Sequence, residues 1–444
     1  MTVRFLIALL LPSVAYAETL TVDQAVAAAL ADHPRARAAR SSADAAIEVS
    51  RSRTGRLLPT VRLSEEFQHY DSPFAISFAL GGAPGTSFPV RDQNLNTFSA
   101  SVDQPLLGLG GRSEQLLSAK ASARAEEAAE RSVRAALRES IERDFLRYFL
   151  ANATESIAIA SEKQLAEQLQ VAQSKYDNGV LTRADLLRLE VAKKNAEQQQ
   201  IMAHSDQQIA RLGVLLAAGR RVDDPVELIE PTELLSAAEQ PLPNLNDAND
   251  SASRDRPELQ ASHFRLNASQ HDRRAHWWSL APEINFEGAY LRLDGQKFVP
   301  TDSAFVGFRA SWDIWEWGST FFAARAADRQ HAAAAAQDES NSRDVTLEVA
   351  TRLEQSHASD AAVKVAQATI ESAEEAFRVT VALINAGTAT TTDLIDAQSA
   401  LTQARMNLIA TRYQRAMMRA SLERAMGATD KTRSVKIRSS TAPE

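Results

Sequence analysis

The sequence predicts an α+β membrane protein whose protomer repeats the order helix, strand, strand, long helix and shorter helix twice. Three observations predict this fold. Residues 112–178 and 319–386 are runs of 67 and 68 residues without a glycine or a proline. Two segments of about ten residues with alternating polarity precede each run. Landmark residues recur at a nearly fixed offset between the two halves of the chain, which indicates a tandem duplication.

The first repeat is expected to span residues 18–219. It begins with a capped, alanine-rich helix, which Pro34 separates from a second helix. Strands are expected at about residues 60–69 and 94–104, where apolar side chains occupy alternate positions. Residues 70–93 between them are rich in glycine, proline and serine, and they are predicted to be a long loop.

The run 112–178 is predicted to be one long helix. Leu137, Ile141 and Phe145 recur in steps of four, as an apolar stripe on a helix requires. At a rise of about 1.5 Å per residue the helix would be roughly 100 Å long, which does not fit a compact domain. This length favours a coiled coil or a helical tube. A return helix is expected at residues 182–218, antiparallel to the first.

The same order recurs in a second repeat at residues 256–427, after a proline-rich linker at residues 220–255. The clearest landmarks are Gly179 and Gly387, which are 208 positions apart. The expected elements are strands at about residues 283–293 and 304–315, a long helix at 319–386 and a return helix at 390–426.

Both termini are predicted to lie outside the fold. Residues 1–17 have the pattern of a secretory signal peptide, with Arg4 before an apolar core and a small-x-small cleavage site before Glu18. Residues 428–444 are polar and lack an apolar period, so they are expected to be disordered.

Composition argues against several classes of function. The formal net charge of −8 argues against nucleic-acid binding. Because the chain has no cysteine, it can have no disulfide, thiolate metal site or acylated N-terminal cysteine. His263, His271 and His276 lack the spacing of a metal pair on one helical face, so neither a metal nor another cofactor is expected. No phosphate-binding loop or nucleophile motif is present, and we expect no enzyme activity.

The predicted strands point to a sheet that spans a membrane. Beyond residue 17 no run approaches ~18 consecutive apolar residues, which argues against a transmembrane helix. Strands of about ten residues have the length of outer-membrane strands, but four strands are too few to close a barrel. Three chains would supply twelve strands, so we predict a trimer that forms a 12-stranded β-barrel on a long α-helical barrel.

Three tryptophans near the end of the last strand suit an aromatic belt at the membrane interface. They are Trp312, Trp315 and Trp317. The alternative role for these side chains is ordinary packing in a core or at a hinge.

The two long runs end at turns of the same design. Gly179 and Gly387 are each followed, after five residues, by an aspartate and two aliphatic residues. The predicted helix-capping pairs are Thr182 with Asp185 and Thr390 with Asp393. Reversal of a helical hairpin is therefore a sufficient role for these residues.

Asp396 lacks this structural explanation. The residue 208 positions earlier is Arg188, so the carboxylate is present in the second repeat alone. Capping does not require a second carboxylate one turn after Asp393.

The duplicated plan, the paired strands and the Gly-x5-Asp turns resemble the TolC family of outer membrane channel proteins over residues 20–427. The segments Leu20–Val26 and Arg256–Leu259 add to this resemblance. The resemblance implies a homotrimer in the outer membrane of a Gram-negative cell, with a helical tunnel in the periplasm. It also implies a passive exit duct of a tripartite efflux pump or type I secretion system. The implied partners are outer membrane lipid, a periplasmic adaptor and an inner-membrane transporter.

The resemblance assigns roles to the tip of the tunnel. Asp393 and Asp396 match the aspartates that form rings at the periplasmic constriction in this family, and together with Asp185 they are the expected gate residues. The turns that contain Gly179, Thr182, Gly387 and Thr390 are the expected docking surface for the adaptor. Family members also close the tip with an arginine and a tyrosine, whose positions here are Ala389 and Ile384, so that latch is absent.

Two other classes of protein share some of these features. A periplasmic adaptor-like coiled-coil protein of an efflux assembly would carry one helical hairpin inside a lipoyl-type β domain, not two copies with membrane-length strands. A purely structural coiled-coil protein would not need the alternating strands. The sequence does not identify the exported substrate, because specificity in such systems lies mostly in the pump.

Overall fold

The computed structural model describes residues 18–78 and 85–428. The predicted signal peptide and nearly all of the predicted disordered tail lie outside the described residues. In chain order the elements are β1 Thr19–Leu20, α1 Val22–Asp32, α2 Pro34–Gly55, β2 Thr60–His69, β3 Phe74–Phe78, β4 Thr86–Leu107, α3 Leu109–Asp177, α4 Arg183–Ala217, β5 Glu227–Leu228, α5 Thr232–Ala237, α6 Leu245–Asp255, α7 Pro257–Trp278, β6 Glu283–Gln296, β7 Asp302–Ser311, α8 Ser319–Asn385 and α9 Thr391–Ala425. Within the two described ranges, no helix has both the length and the apolar character that a membrane span requires.

The described residues fall into two compact units. The first contains residues 18–38, 131–257 and 343–428, and it includes both helical hairpin turns. The second contains residues 39–78, 85–130 and 258–342, and it includes the larger sheet.

The second unit contains an antiparallel sheet in the order β2, β4, β6, β7, with β3 paired to the first part of β4. The pairing of β4 with β6 joins the strands of the two repeats. The register aligns Val61, Val102, Gly288 and Val306 in one row across four strands. Because side chains alternate between the faces of a sheet, these four residues lie on one face.

This face is apolar and the opposite face is polar. Leu63 on β2 and Phe308 on β7 belong to the apolar face and are 68% and 72% exposed. On the other face, Nη2 of Arg309 lies 2.6 Å from Oε2 of Glu287 on the neighbouring strand. The sheet therefore presents lipid-compatible side chains on one side and charged side chains on the other, as its alternating sequence predicts.

The structure corrects two strand predictions in the first repeat. Residues 70–93 are not a continuous loop, because β3 lies within them and pairs with the first part of β4. β4 accordingly begins at Thr86, well before the expected residue 94, and continues to Leu107. The alternation of Phe74, Ile76 and Phe78 is the strand signal, which the neighbouring glycines and prolines obscure.

In the second repeat the last strand is shorter than the expected 304–315. β7 ends at Ser311, which pairs with Glu283, the first residue of β6. A strand has no further ladder partner beyond the end of its neighbour, so Trp312 leaves the sheet.

The core of the first unit contains the apolar stripe that the sequence predicts on α3. Leu137, Ile141 and Phe145 are buried, with 7%, 0% and 0% of their surface exposed. They cluster with Val214 and Leu215 of α4 and with small residues of α1. This packing holds the long helix, its return helix and the N-terminal helix together in one unit.

Residues 220–255 contain more structure than a linker. β5 pairs in parallel with β1, and Thr19 aligns with Glu227. The short helix α5 also lies in this segment, and its N-cap residue is Pro231. Helix α6 lies where only a linker is predicted, and Asn244 caps its first turn through a 2.8 Å hydrogen bond from the backbone N–H of Asp247.

Candidate functional site: the helical tips

Each long helix ends at a glycine in the left-handed backbone region. Gly179 has φ 70° and Gly387 has φ 76°. A Cβ at either position would have no atom within 4 Å. The glycines are therefore required for backbone conformation and not for space.

The second-repeat turn is closed by a full capping box. The backbone N–H of Asp393 donates to Oγ1 of Thr390 at 3.2 Å, and the N–H of Thr390 donates to Oδ2 of Asp393 at 2.8 Å. The Thr390 hydroxyl also donates to the same carboxylate oxygen at 2.7 Å. These hydrogen bonds from Thr390 lower the pKa of Asp393, so its carboxylate stays ionised at neutral pH.

The first-repeat turn uses its aspartate differently. The Thr182 hydroxyl donates to Oδ2 of Asp185 at 2.6 Å, and Nη1 of Arg188 donates to Oδ1 at 3.1 Å. The guanidinium of Arg188 therefore neutralises the carboxylate of Asp185 within its own helix. Asp185 and Asp393 occupy equivalent positions in the two repeats, but Asp185 is paired with a cation whereas Asp393 is bound by the neutral Thr390.

Arg188 also connects the two repeats. Its Nη1 lies 3.5 Å from Oγ1 of Thr392, so α4 contacts the first turn of α9. A cleft of about 720 Å³ lies beside this contact and is lined by Asp185, Arg188, Ala389 and Thr390. Arg188 thus brings an arginine to the cleft that Ala389, the position of the family's latch arginine, also lines.

Arg188 is a functional residue of the tip that the sequence indicates only as the counterpart of Asp396. The spacing of Asp185 and Arg188, three residues apart in a first helical turn, is a signal for this pair. The contact with Thr392 has no local signal, because it depends on which helices are neighbours.

Asp396 is exposed on α9, one turn beyond Asp393. Within the described ranges, its carboxylate makes no hydrogen bond or ion pair. The three predicted gate residues therefore have different environments: Asp185 is paired, Asp393 is held by a cap, and Asp396 is free to interact with an external charge.

The three predicted interface tryptophans lie in the second unit, just after β7. Trp312, Trp315 and Trp317 are 59%, 75% and 86% exposed. Nε1 of Trp312 donates to the carbonyl of Leu280 at 3.2 Å, and the rings of Trp315 and Trp317 meet edge to face at 5.7 Å. None of the three is buried in a core, so ordinary core packing does not explain them.

A family model described as "Outer membrane efflux protein" matches residues 25–220 and 249–428. The chain belongs to this family. Its two matched segments leave little of the described chain uncovered. No curated protein sequence matches the chain at a significant level.

Solved structures of outer membrane channels share the fold. VceC from Vibrio cholerae has a TM-score of 0.78 at 14% identity, over 91% of this chain and 96% of that one. The Campylobacter jejuni channel CmeC has a TM-score of 0.76 at 13% identity, over 94% and 88%. The open state of MtrE from Neisseria gonorrhoeae has a TM-score of 0.74 at 17% identity, over 91% and 88%.

The family assignment makes the chain an outer membrane efflux protein, and its fold is that of solved outer membrane channels. Channels of this family work with adaptor proteins and inner-membrane pumps, and the family is one of channels rather than enzymes.

Proposed function

We propose that this outer membrane efflux protein acts as a homotrimer whose duct is narrowest at the helical tips, where Asp393 and Asp396 line the constriction. The observation that carries the proposal is the free carboxylate of Asp396, one turn from the ionised Asp393 on α9. Around a three-fold axis these two residues would supply six carboxylates to one constriction. Like charges in a narrow pore concentrate cations, which makes the constriction selective for cations. They also repel one another, which favours the open state.

Asp185 supports the closed state in a different way. Its pairing with Arg188 leaves the first-repeat tip without a net charge from these two residues. Arg188 also contacts Thr392, so it ties the tip of α4 to the first turn of α9. This tether takes the place of the arginine and tyrosine latch that Ala389 and Ile384 cannot form.

We further propose that a periplasmic adaptor docks on the two hairpin turns. Both turns are exposed at Gly179 and Gly387, and Val180 exposes 76% of its surface beside Gly179. An exposed apolar residue at a turn whose backbone is fixed by a left-handed glycine offers a preorganised contact for a partner. The inner-membrane pump would then be reached through the adaptor.

The absence of cysteine from the whole chain makes the constriction directly testable. Asp396→Cys introduces the only thiol, and three such thiols near one axis should form disulfides between protomers upon oxidation. We expect crosslinked dimers on non-reducing gels and loss of efflux that a reductant restores. Glu190→Cys, an exposed site near the first-repeat tip, is the matched control and should crosslink far less.

Two results would reject this proposal. One is that Asp396→Cys and Glu190→Cys crosslink equally, which would mean that position 396 is not near the axis. The other is that oxidised Asp396→Cys trimers export as well as reduced ones.

We also propose that Trp312, Trp315 and Trp317 lie at the membrane interface. Their exposure and their position directly after β7 support this role. In vesicles, quenching of tryptophan fluorescence by brominated lipids should fall when Trp315 and Trp317 are replaced by phenylalanine. Unchanged quenching in that variant would place the two rings away from lipid.

A further inference from the structure

A cleft of about 540 Å³ lies at the junction of helix and sheet in the second unit. It is lined by Arg273, Arg274, Trp277, Trp278 and Asp328. α7 ends at Trp278, and β6 begins at Glu283. The cleft is therefore next to the strand ends, and neither the proposed gate nor the proposed adaptor surface uses it.

Among the described residues, the two guanidinium groups of this cleft leave hydrogen-bond donors without a partner. Nε of Arg273 is 4.0 Å from Oδ1 of Asp328, and Nη1 of Arg274 is 4.0 Å from Oε1 of Glu114. Contacts of this length are ion pairs without a hydrogen bond. Since a guanidinium carries five N–H donors, most of them face the cleft or solvent.

The neighbouring carboxylates have closer partners than these arginines. Oδ1 of Asp328 accepts a hydrogen bond from Nε1 of Trp277 at 3.0 Å. Oε2 of Glu114 lies 2.6 Å from Nδ1 of His271. The arginines are thus held near negative charge but keep the capacity to bind another anion.

Both tryptophan side chains of the cleft pack against neighbouring residues. Trp278 lies against Gly110 and Gly111, where a Cβ on Gly110 would come within 2.7 Å of its Cε2 atom. Trp277 meets Phe321 edge to face at 6.4 Å. Both indoles still expose more than two fifths of their surface, at 42% and 44%.

We propose that this cleft binds the phosphate of an anionic glycerophospholipid in the periplasmic leaflet of the outer membrane. Guanidinium groups bind phosphate through paired N–H donors, and Arg273 and Arg274 both line this cleft. Tryptophans flank the site, as they do at the headgroup level of membranes. Phe321 and Phe322, 43% and 62% exposed, offer apolar surface for an acyl chain.

Native mass spectrometry of the delipidated protein in detergent, with phosphatidylglycerol or phosphatidylethanolamine added at equal concentration, tests this site. We expect wild type to retain phosphatidylglycerol preferentially. Arg273→Gln with Arg274→Gln should weaken that binding by about fivefold or more, as expected for basic residues at an anionic surface. Arg273→Lys with Arg274→Lys should retain part of it, because the charge remains but the paired donors are lost.

The control is Arg265→Gln on the same helix. Arg265 is 58% exposed and lies 3.5 Å from Glu126, outside the cleft, so this variant should bind lipid like wild type. Equal retention of the two lipids by wild type, or equal loss in the control, would refute the proposal. Displacement of phosphatidylglycerol by equimolar inorganic phosphate would assign the site to free phosphate instead. A changed oligomeric state in the double glutamine variant would make these arginines protomer contacts, which also overturns it.

Discussion

Arg188 donates a hydrogen bond to Asp185 at 3.1 Å. The residue that corresponds to Arg188 in the second repeat is Asp396, a carboxylate of the opposite charge. The duplication has therefore produced two tips of opposite design. The first tip balances its aspartate with an arginine three residues later, and the second places another negative charge at that position. If both turns served only to reverse the chain, the same arrangement would suffice in both repeats. The difference therefore indicates a function for the second tip.

Asp396→Asn should weaken the block of the channel by multivalent cations. The substitution removes three of the six carboxylates that we propose at the constriction, and clefts of one charge sign concentrate counter-ions by tenfold or more. We expect the half-blocking concentration of a trivalent cation to rise by about tenfold in planar bilayers. Single-channel conductance at low salt, recorded in the same membranes, should also change because fewer cations are attracted.

Glu190→Gln is the matched control for this experiment. It removes one exposed carboxylate near the first-repeat tip, on a surface that Gln173 and Asp177 also line. Its block should equal that of wild type. If Asp396→Asn also matched wild type, Asp396 would have no part in the gate.

Arg188→Gln should make the closed tip easier to open. It removes the ion pair with Asp185 and the contact with Thr392. The Arg188 side chain is 58% exposed, so solvent screening limits the effect, and an exposed pair contributes at most about 1 kcal/mol. This corresponds to an increase of up to about fivefold in the open fraction, measured as spontaneous openings in bilayers.

Arg183→Gln separates loss of charge from loss of the tether. Arg183 is an exposed arginine in the same first turn of α4. Its substitution should leave the opening frequency unchanged. Equal opening in the two variants would show that overall tip charge, and not the contact between α4 and α9, holds the tip closed.

Local sequence patterns are enough to predict the four long helices α3, α4, α8 and α9, because their signals repeat along many residues, whereas the short helix α6 has no such repeated signal. The stripe of Leu137, Ile141 and Phe145 identifies a helical face, and all three side chains are buried in the first unit. The strands are harder, since their ends depend on partners. β7 ends at Ser311 because β6 has no further residue to pair with. The sequence of residues 304–315 contains no signal for this end.

In the candidate site, too, local features can be predicted from the sequence and contacts between distant residues cannot. The capping of α9 by Thr390 and the asymmetry at Asp396 are visible when the two halves of the sequence are aligned. The contact of Arg188 with Thr392 joins residues that are 204 positions apart. Only the packing of α4 beside α9 brings them together, so sequence spacing cannot predict it.

Thr390→Ala should loosen the first turn of α9. It removes the hydroxyl that accepts from the Asp393 N–H and donates to the Asp393 carboxylate, and loss of such a cap costs about 1 kcal/mol. Hydrogen exchange of the amides of residues 391–394 should accelerate by about fivefold. The control substitution Thr390→Ser keeps the hydroxyl and should exchange like wild type.

The capping box should also respond to acid. The hydrogen bonds from Thr390 hold the pKa of Asp393 below its ordinary value of 3.8, so the folded state favours the ionised form. This contribution is therefore present above about pH 3.8 and is lost as the pH falls through the lower folded-state pKa. Amide exchange in this turn, corrected for intrinsic rates, should be protected equally at about pH 7 and pH 5 and lose protection below pH 3.8. Loss of protection already at about pH 5 would contradict the lowered pKa.

Gly387→Ala should destabilise the second-repeat tip although it fills no occupied space. The φ angle of 76° lies in the left-handed region, where a Cβ costs about 1 kcal/mol, and no atom lies within 4 Å to clash. Gly213→Ala is the matched control, because Gly213 also has open surroundings but lies inside α4, where alanine is favoured by about 0.5–1 kcal/mol. Exchange of the amides around each site should therefore accelerate at the tip and slow in α4. If both substitutions slowed exchange, the backbone at residue 387 would not be held in the left-handed region, and the turn would not be the fixed structure that adaptor docking requires.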